Sequence, residues 1–150
     1  VQPHLIEVKE TSGVASTFIS DDGQRTFGTY LGAAALLNPE DLSPQDFEDY
    51  DIFYIEGYLV QNHALIFEAL KLAKELKMKV AIDLASYNIV EENLDFLTHV
   101  IPQYVDILFS NEEEAKMMTG LEPEQAVSKL AEMVDIAIVK AGANGAWVQK

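Results

Sequence analysis

Five places in the sequence carry side chains whose type and spacing suit chemistry. Glu56-Gly57 follows the apolar run 51–55. A carboxylate there either accepts hydrogen bonds from a polyhydroxyl substrate or stands as a solvated loop acid. Asp83 closes the run 79–84 ahead of Ala85-Ser86 and reads equally as a ligand contact or as a cap. Ser110-Asn111-Glu112-Glu113-Glu114 sets three consecutive acids behind the run 105–109. Ser110 and Glu113 have the S-x-x-E spacing of a capping box, and acids suit the first turn of a helix. The same acids also suit a hard cation, because Mg2+ takes carboxylate oxygen and keeps waters that reach phosphate. Asn111 and Glu114 lie three apart, on one helical face. Lys140-Ala141-Gly142-Ala143-Asn144-Gly145 places two glycines three apart after the run 136–139. There the backbone can approach a ligand closely, or simply turn. The segment is neither a Walker A loop nor the dinucleotide G-x-G-x-x-G. The fifth place is the histidines. His4, His63 and His99 share no spacing of a metal site or catalytic triad, and are expected to be structural or exposed. Trp147 and the tyrosines read as packing residues.

The elements that position these residues follow from periodicity. Residues 14–20 and 25–31 are β-branched and aromatic and flank Asp21-Asp22-Gly23, the signature of a β-hairpin. From residue 43 the pattern becomes β-α alternation. Residues 51–55 read as a strand buried on both faces. Asn62 caps a helix reaching about Lys77, with Ile66, Ala69, Leu70, Ala73 and Leu76 as its apolar stripe. Lys71, Lys74, Lys77 and Lys79 cluster near the end of that helix, where its dipole favours them. Residues 79–84, 105–109 and 136–139 are further strands. Residues 89–100 predict one helix with Pro102 just beyond its end, and residues 110–118 a short helix stopped by Gly120. Pro123 opens another helix from its first turn, and residues 146–149 start a last strand. Short strand–helix–strand units imply parallel pairing with right-handed crossovers. The expected class is α/β, a mostly parallel sheet flanked by helices. A hairpin at about 12–32 precedes a core of about 43–150.

Composition narrows the partners. Ten basic residues against twenty-five acidic ones give a net charge of −15 across 150 residues. Such a surface repels phosphate backbones and anionic lipid, so neither nucleic acid nor a membrane surface is an expected partner. Cysteine is absent, which excludes disulfides, thiolate metal sites and a cysteine nucleophile. This suits a cytoplasmic setting. No apolar run approaches the roughly 20 residues of a membrane span.

The order of the pieces resembles the ribokinase-like (PfkB) family of carbohydrate and nucleoside kinases. The matching stretches are SGVASTFISDDGQRTFGTYLGAA (12–34), YIEG (54–57), AIDLAS (81–86), SNEEEAKMMTG (110–120) and IVKAGANGAWV (138–148). The resemblance implies ATP and Mg2+ as cofactors and a sugar or nucleoside as phosphoryl acceptor, with a lean towards the adenosine-kinase-like branch. It implies that Asn111 and Glu114 belong to the family's N-x-x-E motif for magnesium and phosphate, with Glu114 the metal-linked acid. Lys140, Gly142, Ala143 and Gly145 match the loop lining the nucleotide, although the family often has threonine where Lys140 stands. Glu56 and Asp83 are the expected acceptor contacts. The hairpin is similar to a lid that covers the acceptor and pairs two subunits, so a homodimer is expected through it. The family's N-terminal Gly-Gly-x-x-x-Asn region and its Gly-Ala-Gly-Asp segment with the catalytic aspartate do not occur in these residues. No catalytic residue is therefore assigned, and the chain is expected to be an incomplete domain, inactive alone. A non-catalytic nucleotide-binding or assembly module pairing through its hairpin is the alternative.

Overall fold

The computed structural model describes residues 3–150. The chain divides into two compact units, Val1–Asp46 and Phe47–Lys150. The first unit contains the hairpin, strands β1 (Ser12–Ile19) and β2 (Arg25–Gly32), antiparallel with Thr17 opposite Phe27. The turn closes through Gly23 N–H to Ser20 O at 2.8 Å. All eight residues of β1 are exposed. The hairpin therefore stands on its ladder and turn, and both its faces meet water.

The second unit is a five-stranded sheet. Its strands are β3 (Ile52–Glu56), β4 (Lys79–Asp83), β5 (Ile107–Asn111), β6 (Ile136–Lys140) and β7 (Ala146–Gln149). They lie side by side in chain order; β3 to β6 are parallel and β7 returns antiparallel along β6. Between the strands run α1 (His63–Glu75), α2 (Tyr87–Glu92), α3 (Leu94–Tyr104), α4 (Glu112–Thr119) and α5 (Pro123–Ala131). A strand order that always advances the same way, joined by right-handed crossovers, sends every helix to the same face. Burial agrees. Ile55, Val80, Ile82, Leu108, Ala137 and Val139 point to the helices and are at most 2% exposed. On the opposite face Ile52, Tyr54 and Val148 are 56%, 48% and 64% exposed.

Three expectations are corrected here. The strand at 51–55 is not buried on both faces, because β3 is the sheet edge and one face has no helices over it. The helix expected over 89–100 is two helices broken at Asn93. Asn93 leaves helical geometry (φ −121°, ψ 19°), and its buried amide donates to Ile89 O at 2.8 Å while its carbonyl oxygen meets the His63 ring at 2.8 Å. A side chain that bonds the preceding turn competes with the helix ladder. Pro102 lies inside α3 rather than past it. Two residues from the helix end, its missing N–H removes only one late ladder bond.

At the amino ends of the strands, charges tie the sheet to α1. Asp106 accepts from Lys74 Nζ at 2.6 Å, Lys79 Nζ at 2.9 Å and the Val80 N–H at 2.8 Å. Lys79 also reaches Asp135 at 2.9 Å. Burial by itself would raise the Asp106 carboxyl, but the hydrogen bonds from Lys74, Lys79 and Val80 outweigh it and hold the group below the usual carboxylate range. A depressed carboxyl adds stability that is present above its unfolded value and lost as pH falls through the folded one. Asp106→Ala is expected to cost about 2 kcal/mol at pH 7. Urea denaturation should show the gap to the parent closing as pH falls below about 4; a gap that stays constant as the solution is acidified contradicts the assignment.

Candidate active site

Because β3 to β6 run parallel, their carboxyl ends share one edge, the edge where open α/β sheets hold ligands. Register fixes the neighbours there. Glu56 lies opposite Asp83, Asp83 opposite Phe109, and Asn111 opposite Lys140. With a side-chain period of two, Tyr54, Glu56, Asp83, Phe109, Asn111 and Lys140 all belong to the face without helices. Gly57 follows at the tip of β3. A Cβ there would land on the backbone of Asp83 and come within 2.7 Å of the Leu84 carbonyl carbon. Only glycine lets the two strand ends meet this closely.

Lys140 and Asp83 form an ion pair that bridges the end of β5. Lys140 Nζ stands 2.5 Å from Asp83 Oδ2. The other carboxylate oxygen accepts from Ala85 N–H at 3.2 Å. Ala85 takes the left-handed conformation (φ 67°) as the chain turns away from the strand.

The start of α4 corrects the capping assignment. Ser110 is the buried next-to-last residue of β5, its hydroxyl donating to Ile138 O at 3.3 Å, and Glu113 does not complete the box. The cap is Asn111 with Glu114. Asn111 Oδ1 accepts from Glu114 N–H at 2.9 Å. Glu114 in return accepts from Asn111 N–H at 2.8 Å and from its amide at 2.7 Å. The strand runs two residues further than the apolar pattern shows, so the cap moves one residue on and the helix begins at Glu112, two residues later than expected. Glu114 is 2% exposed. Burial pushes its carboxyl up, the Asn111 N–H pulls it down, Asp83 and Glu113 raise it and Lys140 lowers it; the result is above the usual range. Each of its oxygens accepts one hydrogen bond within the box and keeps a further lone pair. Among the described residues no three His, Asp or Glu side chains gather as a metal-holding group. A divalent ion at Glu114 would complete its shell with water and phosphate oxygen, a donor set Mg2+ accepts.

The segment after β6 is a tight connection into β7. Asn144 N–H donates to Ala141 O at 2.9 Å and Ala141 N–H to Gly145 O at 2.8 Å. Gly142 and Gly145 have φ of 53° and 90°, and nothing stands within 4 Å of where their Cβ atoms would be. Positive φ, not crowding, is what requires glycine here, and the exposed Ala143 sits between them. Lys140, Gly142 and Gly145 thus share the rim of Asn111 and Glu114, one strand apart. Glu56 lies at the far end of the same rim. Beside it is Tyr54, which sequence reasoning left among the packing residues. The Tyr54 ring meets Phe109 edge-on at 6.4 Å. Burial, then the charges of Glu56 and Asp83, raise its hydroxyl. Its position two before Glu56 was the available signal. His63 stacks on Phe96 at 4.1 Å and is structural.

The sequence profile of the pfkB family carbohydrate kinases matches residues 1–150. The chain is similar to the guanosine-inosine kinase of Escherichia coli (strain K12), 26% identical over 143 residues that make up 91% of this chain and 33% of that protein. Among solved structures it is similar to a probable sugar kinase from Rhizobium etli CFN 42 (TM-score 0.82, 29% identity, 92% of this chain and 43% of that one). It is also similar to the adenosine kinase from Sinorhizobium meliloti (TM-score 0.83, 29% identity, 92% of this chain and 44% of that one). The chain spans about a third of the length of the curated relatives it matches. With the profile running from end to end of a sheet built this way, the chain belongs to the pfkB family of carbohydrate kinases.

Proposed function

We propose that this chain is part of an ATP-dependent kinase that phosphorylates an alcohol group of a nucleoside or sugar in the cytoplasm, with nucleosides favoured. The observation that carries the reading is the single rim on which Asn111, Glu114, Lys140 and the Gly142–Gly145 turn stand side by side. The lean to nucleosides rests on the guanosine-inosine kinase and adenosine kinase among the relatives. Bound Mg2+ would supply charge neutralisation for the phosphates. Glu114 would hold it through water, kept in place by Asn111. The Gly142-Ala143-Asn144-Gly145 backbone, free of side-chain bulk at both glycines, would run along the nucleotide. Glu56 and Asp83 would accept hydrogen bonds from the acceptor hydroxyls. Catalysis of this kind is mostly positioning and electrostatics.

The full-length gene product, assayed with ATP on adenosine, guanosine, inosine, ribose and fructose, should phosphorylate a nucleoside fastest. The 150-residue chain alone should give no turnover on any of them, since it contains no Gly-Ala-Gly-Asp segment. A hexose that outpaces every nucleoside overturns the lean, and steady turnover by the chain alone overturns the second expectation. Glu114→Gln in the full-length product should lower kcat about 10- to 100-fold and raise the Mg2+ needed for half-maximal rate. An unchanged Mg2+ dependence would remove Glu114 from the cation's surroundings.

The hairpin supports a further part of this reading. Phe18, Phe27 and Tyr30 are 63%, 55% and 55% exposed. Apolar surface on a bare strand pair suits pairing with a second copy. Light scattering on the full-length product should give a dimer that Phe18→Asp with Phe27→Asp converts to monomer. A dimer without turnover or ATP binding would favour the non-catalytic assembly module instead.

A further inference from the structure

The carboxyl edge of the sheet is acidic. Glu56, Asp83, Glu112, Glu113 and Glu114 stand there, and Lys140 is the one lysine at the carboxyl tips of β3 to β6 among the described residues. An anion approaching this rim meets repulsion everywhere except at Lys140, and Lys140 is already engaged by Asp83.

The geometry of that engagement is particular. Lys140 and Asp83 are not on neighbouring strands; β5 lies between them. Two strand spacings are about 10 Å, so the lysine side chain must reach out across the end of β5 to bring Nζ within 2.5 Å of Asp83. It thereby crosses the place where Asn111 begins α4 and Glu114 is held. Asp83 is the better buried partner, 18% exposed against 46% for Lys140. It is also fixed from a second side by the Ala85 N–H. The carboxylate is the anchor and the ammonium the movable part. Ion pairs with one side in water contribute little net stability, whereas an ammonium facing a polyphosphate forms a charge-assisted bond with a more strongly charged partner. The pair is therefore poised to exchange.

We propose that Lys140 and Asp83 form a charge latch on the polyphosphate site. Asp83 is a positioning residue that holds the ammonium over the end of β5 when the site is empty. Lys140 leaves it for the phosphate oxygens when the nucleotide arrives. The inference rests on the phosphotransfer reading above and changes one part of it: the carboxylate of Asp83 sets nucleotide affinity through Lys140 rather than only contacting the acceptor. The latch also makes the site selective by charge, because an incoming ligand must outcompete a carboxylate. Triphosphates do so better than monophosphates.

Binding of ATP, ADP, AMP and inorganic tripolyphosphate to the full-length product, measured by calorimetry in EDTA, tests this without turnover. Lys140→Met should weaken ATP and tripolyphosphate about tenfold or more and leave AMP nearly unchanged. Lys140→Arg should restore part of the loss. Asp83→Asn should tighten ATP about threefold, a gain that vanishes in the Lys140→Met background; such non-additivity is the signature of a direct pair. Thermal unfolding of each variant separates these effects from misfolding, since a variant that merely loosens the fold weakens all four ligands together. Equal affinity for ATP in parent, Lys140→Met and Asp83→Asn overturns the latch while leaving the kinase reading intact. So does an Asp83→Asn gain that persists without Lys140. A parent protein that binds neither ATP nor tripolyphosphate overturns the kinase reading itself, and the latch with it.

Discussion

Parallel hydrogen bonding from β3 through β6, without a skipped strand, is what the rest of this unit depends on. It brings four strand ends to one edge and sets their side chains in a common row, Glu56 to Asp83 to Phe109 and Asn111 to Lys140. A slip of one residue in any pair would turn that strand's row to the opposite face. The same monotonic order sends all five helices to one side. Core and rim therefore have the same origin: one alternate set of side chains fills the space under the helices, and the other set lies on the uncovered face.

The two ends of the sheet use charge differently. At the amino ends Asp106 is satisfied from three directions, by Lys74, Lys79 and Val80, and the cluster fastens helix to strand. At the carboxyl ends acids outnumber cations, and the single pair there among the described residues joins residues two strands apart. The first arrangement is tied on both carboxylate oxygens of Asp106. The second leaves an ammonium half in water beside a buried carboxyl, Glu114, whose own bonds serve the start of α4. Glu114 thus serves the helix start, and the proposed cation role would use the same atoms in the same place.

Most of the fold was legible because its signals are local. Asn62 caps α1 through Leu65 N–H at 3.1 Å, Gly120 ends α4 in the left-handed conformation, and Pro123 occupies the first turn of α5. The β-α alternation gave the class, and the profile match supports the family read from motif order. What escaped was tertiary. Asn93, where the helix breaks, is also held by the His63 ring thirty residues away. The shift from Ser110–Glu113 to Asn111–Glu114 arises because β5 continues along β6 as far as Lys140, and pairing with a neighbour is invisible in apolar periodicity. The Lys140–Asp83 contact spans 57 residues of sequence and a whole strand, so nothing near either residue announces it.

The sheet face without helices has a colloidal consequence. It displays Ile52, Tyr54 and Val148 to water, with Ile107, Phe109 and Ile138 partly exposed between them. A parallel sheet ordinarily hides both sides. The net charge of −15 opposes contact between copies of this face. That repulsion reaches only a Debye length, about 10 Å in 0.1 M salt and 3 Å in 1 M. The strength of this opposition is thus set by the buffer, and brine removes it.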